Sequence, residues 1–269
     1  MIPAAFEYYR ASSVDDAAQL LASHQDAKVL AGGHSLIPLM RLRLARPSAL
    51  VDINPLDREL AYVRRSNGTL HIGALTRHYQ IESSDEVKRS LPILAEIASE
   101  VGDLQVRSMG TIGGVLAHAD PAGDYGTVAL MLEAQISTNK RTIAARDFFQ
   151  GLFTTPLAAD ELITEVAFPV TDGPHRYLKF RRRLFDWAIV GVGAQRVDGQ
   201  VRVGVTNAAA TPVRATAVEE ALQQGASPAE AAKQVVQNID PTADLRGSVE
   251  YKKHLAQVLT ERVLAGVSS

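Results

Sequence analysis

The stretch Leu30-Ala31-Gly32-Gly33-His34-Ser35-Leu36 constrains this chain more than any other. An apolar run from Lys28 to Ala31 enters two adjacent glycines, and a helical pattern from Ile37 to about Leu44 follows. Glycine has no Cβ, so the backbone here can approach another body closely or take a positive φ. A helix start adds N–H groups without intrahelical acceptors and the positive end of the peptide dipole, which together suit an anion such as a phosphate. A second glycine turn, Gly110-Thr111-Ile112-Gly113-Gly114, lies far along the chain and is positioned to close over the same anion. The expectation is a dinucleotide held between the two turns. Neither turn is G-x-G-x-x-G, no acidic residue ends a second Rossmann strand, and the Walker pattern is absent. NAD in a Rossmann site and a P-loop are therefore disfavoured.

The flanks of the first turn read as a β-α-β-α-β unit within residues 1–56. Phe6 to Arg10 is a short strand, and Ser12 or Ser13 caps a helix carrying Val14, Ala17, Ala18 and Leu21 on one face. Pro38 is tolerated near the start of the next helix, Pro47 ends it, and Ala49 to Ile53 reads as a buried parallel strand. Beyond it, Ala61–Arg65 and Thr69–Ala74 flank Ser66-Asn67-Gly68, a hairpin signal. Pro92 opens a helix with Ile93, Leu94, Ile97, Ala98 and Val101 on one side. Arg107 to Tyr125 lacks helical periodicity and reads as a long functional segment. A helix near 127–133, strands near 134–138 and 141–143, and an alternating run at 160–169 complete a first domain, 1–172, with subdomains 1–56 and 57–172. Thr171-Asp172-Gly173-Pro174 reads as a linker. Strands at 176–183, 188–197 and 200–207, then helices at 214–223, 228–238 and 249–265, make a second α+β domain, 173–269.

Composition excludes several classes. A formal net charge of −2 over 269 residues gives no global attraction to nucleic acid or an anionic membrane, so the basic clusters Arg41/Arg43/Arg46 and Arg181-Arg182-Arg183 need local explanations. No apolar run approaches membrane-spanning length, and the first residues show no leader pattern, which makes a cytoplasmic location the default expectation. Cysteine is absent, so the chain holds no disulfide and no thiolate-bound iron–sulfur cluster or zinc. If electrons reach it from a metal cluster, another chain carries the cluster.

Each chemical motif has a plain reading beside the sharper one. Gly32-Gly33 alone is often a tight turn, His34 reads as a polar loop residue because no second histidine stands at ligand spacing, and Ser35 reads as an N-cap. Gly110, Gly113 and Gly114 make a relaxed bend, or else place the Thr111 hydroxyl on a phosphate oxygen. His118-Ala119-Asp120-Pro121-Ala122-Gly123-Asp124 suggests Asx-turns, or a carboxylate that receives ribose or ribityl hydroxyls.

Taken together, Ala31–Leu36, Thr111–Gly114 and Ala119–Asp124 resemble the FAD-binding medium subunit of molybdenum hydroxylases, the group of the carbon monoxide dehydrogenase medium chain and the xanthine dehydrogenase flavin domain. Asp160–Glu165, Lys179–Arg183 and Asp186–Val190 extend the resemblance in order. It implies a PCMH-type (vanillyl-alcohol-oxidase-like) FAD-binding domain of two α/β subdomains, followed by a C-terminal α+β domain of the CO dehydrogenase flavoprotein type. It also implies that backbone N–H groups of Gly32, Gly33, His34 and Ser35 grip the pyrophosphate, helped by Gly110, Thr111 and Gly114, with Leu30, Ala31 and Leu36 lining the crevice. His118 and Asp124 fall where relatives touch the cofactor, and Leu162 and Ile163 where residues pack near the ring or adenine. Trp187 falls where some relatives place an aromatic beside the flavin, with a core or interface tryptophan as its plain reading. Lys179 and Arg183 are candidates for flavin tuning or acceptor contact, against a solvated basic strand face. Val115, where relatives often have Asn or Ser, and Gly123, where Ser is common, depart from the pattern. The implied system is a heterotrimer, itself dimerised, with an iron–sulfur small subunit carrying [2Fe-2S] clusters and a molybdopterin large subunit. FAD would pass electrons to NAD, a quinone or oxygen. A stand-alone FAD oxidoreductase of the same fold and a non-catalytic nucleotide-binding module are the rival expectations.

Overall fold

The computed structural model describes residues 2–267. Its first unit comprises β1 (Glu7–Arg10), α1 (Val14–Ser23), β2 (Lys28–Leu30), α2 (Leu36–Arg41) and β3 (Ala49–Asp52). β3 lies between the other two strands and runs parallel to both, as the β-α-β-α-β reading requires. Every residue of β3 is buried, Asp52 included, which is why Ala49 to Val51 are consecutively apolar rather than alternating. Ser13 caps α1 by accepting from the Asp16 N–H at 3.0 Å, and Ala17 and Leu21 turn its apolar stripe onto Val51 and Ile53.

A short helix, α3 (Asp57–Leu60), leads into an antiparallel sheet. Its strands are β4 (Val63–Ser66), β5 (Thr69–Gly73), β6 (Gln135–Thr138), β7 (Thr142–Ala144) and β8 (Ile163–Pro169), in the order β4-β5-β8-β6-β7. Asn67 and Gly68 take φ of 49° and 74°, the left-handed pair that a tight hairpin needs. Between β5 and β6 the chain forms α4 (His78–Ser83), α5 (Asp85–Ser90), α6 (Pro92–Glu100), α7 (Leu104–Met109), α8 (Ile112–His118) and α9 (Asp124–Met131); α10 (Ala145–Phe148) follows β7. Leu70, Ile72, Ile93, Leu94, Ile97, Val166 and Phe168 form a solvent-free core between this sheet and its helices.

The structure corrects the aperiodic reading of 107–125. That stretch is helical, but in pieces of six to eight residues capped by Asp103, Thr111 and Gly123. None spans enough turns to display a stripe, and α9 is buried on nearly every side.

The C-terminal part sets β9 (His175–Phe180), β10 (Val190–Val197), β11 (Gln200–Thr206) and β12 (Val213–Arg214) in one antiparallel sheet. One face carries Val190, Val192 and Ala194 against α11 (Thr216–Gln223), α12 (Pro228–Lys233) and α13 (Val249–Val267). The opposite face lies on α9 and α6 of the first domain. There Tyr177 and Lys179 of β9 meet Asp124 of α9: the Tyr177 hydroxyl donates to Asp124 Oδ1 at 2.6 Å, and Lys179 Nζ donates to Asp124 Oδ2 at 2.8 Å. Lys179 also donates to the Glu100 carbonyl at 3.1 Å. Its side chain is 2% exposed and that of Asp124 5%, so Lys179 is not part of a solvated strand face. Burial pushes the Asp124 carboxyl up, and Lys179 and Tyr177 oppose that rise. Removing one member of such a pair leaves a stranded charge. Lys179→Met is expected to lower the unfolding free energy by about 3–5 kcal/mol in urea titrations, and adding Asp124→Leu to recover most of it; a single-variant loss below about 1 kcal/mol contradicts the assignment.

Candidate functional site

The two glycine turns meet. A Cβ built on Gly32 would fall 2.3 Å from the Met109 carbonyl oxygen and 2.8 Å from Gly110 Cα, so only glycine permits this backbone-to-backbone contact. Gly33 takes φ of +73°, and the sides of Ile37 and Leu30 close over the space its Cβ would need. Ser35 stands at the N-cap position of α2 but makes no capping bond with its side chain. Among the described residues, the backbone N–H groups of Gly32, Gly33, His34 and Ser35 find no acceptor; the first bond back into the turn is Ile37 N–H to the Gly33 carbonyl at 2.9 Å. Four consecutive donors at a helix start are therefore without an acceptor among the described residues. Beside them is a cleft of about 460 Å³ lined by Gly32, Gly33, His34, Ile37, Pro38, Arg41 and Leu42.

The second turn is built differently. Ile112 and Gly113 donate their N–H groups to the carbonyls of Thr76 and Ala74 at 3.1 and 2.9 Å, and Gly114 donates to Thr111 Oγ1 at 3.1 Å. It is a closed brace rather than an open nest of donors. Thr111 is buried, and within 4 Å the Cβ position of Gly114 meets only Thr111 Oγ1.

Two residues that the sequence did not single out tie the turns together. Asn54 Nδ2 donates to the Ala31 carbonyl at 2.9 Å, and Arg77 donates to Asn54 Oδ1 at 2.5 Å and to the Met109 carbonyl. Asn54 is held in turn by Asp52 Oδ1, which accepts from its backbone N–H at 2.9 Å, while the Tyr8 hydroxyl donates to Asp52 Oδ2 at 2.5 Å. Burial alone would raise the Asp52 carboxyl, but the donors Tyr8 and Asn54 outweigh it and hold it below the ordinary carboxylate value. The only local hint was the Asn54-Pro55 step after β3; Arg77 looks like any surface arginine.

Under the second turn lies His78, whose ring stacks on Tyr125 with centroids 5.2 Å apart. His78 Nδ1 and the Tyr125 hydroxyl are both buried without a partner. Burial, followed by the nearby positive Arg77, lowers the His78 imidazole to about 3, so it is neutral in the folded protein.

The remaining candidates spread around this centre. Leu162 is buried with Leu60 and Leu75 where the two subdomains join, and neighbouring Ile163 enters the larger sheet's core. His118 is half-buried, its ring 5.1 Å from that of Phe153, and burial lowers its pKa. Asp124 and Lys179 neutralise each other as described, so neither is free toward solvent. Trp187 is 56% exposed, under Arg246 at 5.3 Å, which rules out the core reading. Val115 and Gly123 prove to be neighbours: a Cβ on Gly123 would sit 3.3 Å from Val115 Cγ2.

Two outcomes follow from this geometry. Gly32→Ala forces the turns apart and is expected to cost about 1–3 kcal/mol of stability, read by thermal unfolding. For His78, the unfolded chain takes up more protons than the folded one below the ordinary value of 6.5. Its contribution to stability is thus complete above about 6.5 and falls as the pH drops toward 3, by at most about 1.4 kcal/mol per pH unit. Unfolding midpoints measured across that window should decline in the wild type and flatten in His78→Phe.

Comparison with known proteins agrees with this architecture. Residues 4–171 match the family described as the FAD binding domain in molybdopterin dehydrogenase, and residues 175–267 match the CO dehydrogenase flavoprotein C-terminal domain. The chain is 37% identical to the glyceraldehyde dehydrogenase medium chain of Sulfolobus acidocaldarius, covering 100% of both, and 38% identical to the carbon monoxide dehydrogenase medium chain of Hydrogenophaga pseudoflava, covering 98% and 97%. The solved carbon monoxide dehydrogenase of Hydrogenophaga pseudoflava superposes with a TM-score of 0.94 at 38% identity, covering 100% of this chain and 99% of that one. Quinoline 2-oxidoreductase from Pseudomonas putida 86 gives 0.93 at 29% identity, covering 100% and 98%. The chain belongs to the family of FAD-binding medium subunits of molybdenum hydroxylases.

Proposed function

We propose that this chain holds FAD between its two glycine turns and serves as the electron-relaying medium subunit of a heterotrimeric molybdenum hydroxylase. The observation that carries the reading is the run of four N–H groups without an acceptor among the described residues, Gly32 to Ser35, with Gly32 packed against Met109 and Gly110. A diphosphate supplies the acceptors these donors lack. The Thr111 hydroxyl donates from the opposite turn, and the clear space at Gly114 admits the cofactor's backbone. Leu30, Ala31, Leu36, Leu162 and Ile163 supply the apolar wall. Asn54 and Arg77 keep both turns in register, so binding does not have to organise them. His118, Asp124, Lys179 and Trp187 are assigned to the flavin end, where the Asp124–Lys179 pair holds the C-terminal sheet against the first domain. We place the boundary between the domains at 172/173.

When bound, the flavin accepts electrons singly from a cluster and passes them on in pairs. With no cysteine in the chain, the cluster belongs to an iron–sulfur small subunit and the substrate site to a molybdopterin large subunit. Arg41, Arg43, Arg46 and Arg183 offer charge for docking those partners. The terminal acceptor is NAD, a quinone or oxygen, and the complex is dimeric and cytoplasmic. No helix among the described residues is long and apolar enough to cross a membrane.

Co-purification with the two partner chains tests this. Wild-type complex should carry about one FAD per medium chain, and Gly33→Val, which needs a positive φ, should lower FAD occupancy at least tenfold while partners are still recovered. Arg43→Ala and Arg183→Ala should leave FAD content intact and weaken assembly. A colourless wild type would favour a nucleotide-binding module, and flavin reduction by substrate in the isolated chain a stand-alone oxidoreductase.

A further inference from the structure

The lone tryptophan of the chain, Trp187, stands 56% exposed in the loop between β9 and β10, and its indole makes no hydrogen bond among the described residues. A large ring on two rotatable bonds keeps one orientation there only if something holds it. Phe185 of the same loop is held from the first domain: Arg107, whose guanidinium donates to the Ser99 and Val101 carbonyls, lies 5.6 Å from its ring. Trp187 is held from the other side. Arg246, in the loop ahead of α13, lies 5.3 Å from the indole centroid and 3.6 Å from the Asp186 carboxylate. We propose that Arg246 is a positioning residue, which fixes the Trp187 indole in the orientation in which it meets the flavin. The inference rests on the assignment of Trp187 to the flavin end.

The grip has two points. Asp186 Oδ1 accepts the backbone N–H of Trp187 at 2.9 Å and is also the oxygen that Arg246 approaches. One guanidinium therefore holds the loop at the step before the ring and at the ring itself. Its planar edge pairs with a carboxylate while its face lies on an aromatic, a combination that an ammonium lacks.

Arg246 is itself mounted on the helix behind it. Residues 244–247 close a tight turn, in which the Asp244 N–H donates to the Gly247 carbonyl at 3.1 Å. Asp244 Oδ1 accepts the N–H groups of Arg246 and Gly247 at 2.7 and 3.1 Å. Its Oδ2 accepts from Lys252 Nζ at 2.9 Å, and Lys252 also donates to the Thr242 carbonyl at 2.8 Å. The Lys252 side chain is 4% exposed and belongs to α13, so the turn is anchored in the helix that packs the C-terminal sheet. Burial alone would raise the Asp244 carboxyl, but Lys252 and the two turn N–H groups outweigh it and hold it below its ordinary value. An incidental surface ion pair contributes little and needs no such mount. The series Lys252, Asp244, Arg246, Trp187 joins a buried helix position to an exposed ring.

The lone tryptophan is its own probe. Losing an exposed cation–π contact shifts the rotamer balance of its ring by about two- to fivefold. In the full chain, Arg246→Gln should raise the minor component of the Trp187 fluorescence decay by that factor, and Arg246→Lys, which keeps the cation, should raise it less. Asp244→Ala should reproduce the effect of Arg246→Gln with Arg246 still in place. In the FAD-loaded complex, an indole against the flavin quenches flavin emission by giving an electron to the excited ring. Arg246→Gln should there raise the emission per bound FAD about twofold. An unchanged decay in Arg246→Gln overturns the proposal, as does an Arg246→Lys variant altered as much as Arg246→Gln, or an Asp244→Ala variant with the wild-type decay. A decay that shifts while the emission per FAD stays constant overturns the placement of Trp187 against the flavin, and with it the role of Arg246 toward the cofactor. A complex that carries no flavin counts against the flavoprotein reading, while the decay still decides whether Arg246 holds the ring.

Discussion

The contact between Gly32 and the Met109–Gly110 peptide is what the rest of the molecule depends on. It joins a parallel three-stranded sheet to an antiparallel five-stranded one through backbone alone. Two side chains, Asn54 and Arg77, then cross-link the joined turns at carbonyl oxygens, which leaves the N–H groups of the first turn uncommitted. That asymmetry is the chemical content of the site. The carbonyls of Ala31 and Met109 are satisfied within the protein, while the N–H groups of Gly32 to Ser35 have no acceptor among the described residues. Had both turns been open, the seam would have needed a ligand to form; with the second one closed on Thr76 and Ala74, it is formed in advance.

Preorganisation of this kind requires the surrounding groups to stay in one ionisation state. Asp52 is kept ionised by the donors around it, so it can hold Asn54. His78, against whose ring Gly110 rests, is kept neutral by burial and by the charge of Arg77. An imidazolium there would add a second cation beside a guanidinium in a region with little water to screen either. The site thus pairs one buried acid that must be charged with one buried base that must not be.

What the sequence made legible depended on the range of the forces involved. The β-α-β-α-β unit could be read because β3 opens on three consecutive apolar residues, Ala49 to Val51, and α1 is capped and striped, and all those signals are local. The hairpin at Asn67-Gly68 was equally plain, since left-handed φ values demand those residues. The helices α7 and α8 and the start of α9 were hidden because each piece is shorter than the repeat that would reveal it, whereas the body of α9 was expected near 127–133. The glycine turns, their convergence and the cofactor expected between them were visible through the motifs they share with a known family. The brace of Asn54 and Arg77 and the pairing of Lys179 with Asp124 were not, because each joins residues far apart in sequence whose types carry no signature. For Lys179, the neighbouring arginines suggested a solvated face, whereas strand alternation turns this one residue inward.

The departures at Val115 and Gly123 illustrate the same limit from the other side. Read singly, each removes a polar group from a flavin site and suggests altered tuning. In the fold they are neighbours, with Val115 Cγ2 3.3 Å from where a Cβ on residue 123 would stand. A serine at 123 would press its Cβ into that methyl, at a separation tighter than most real contacts, while also crowding the Asp120 carbonyl at 3.0 Å. The pair is therefore better understood as one packing solution than as two lost hydrogen bonds. Gly123, the N-cap of α9, makes no side-chain capping bond. Because Asp124, the first residue of that helix, anchors the C-terminal sheet, the placement of α9 matters more here than the polarity of the residues that settle it.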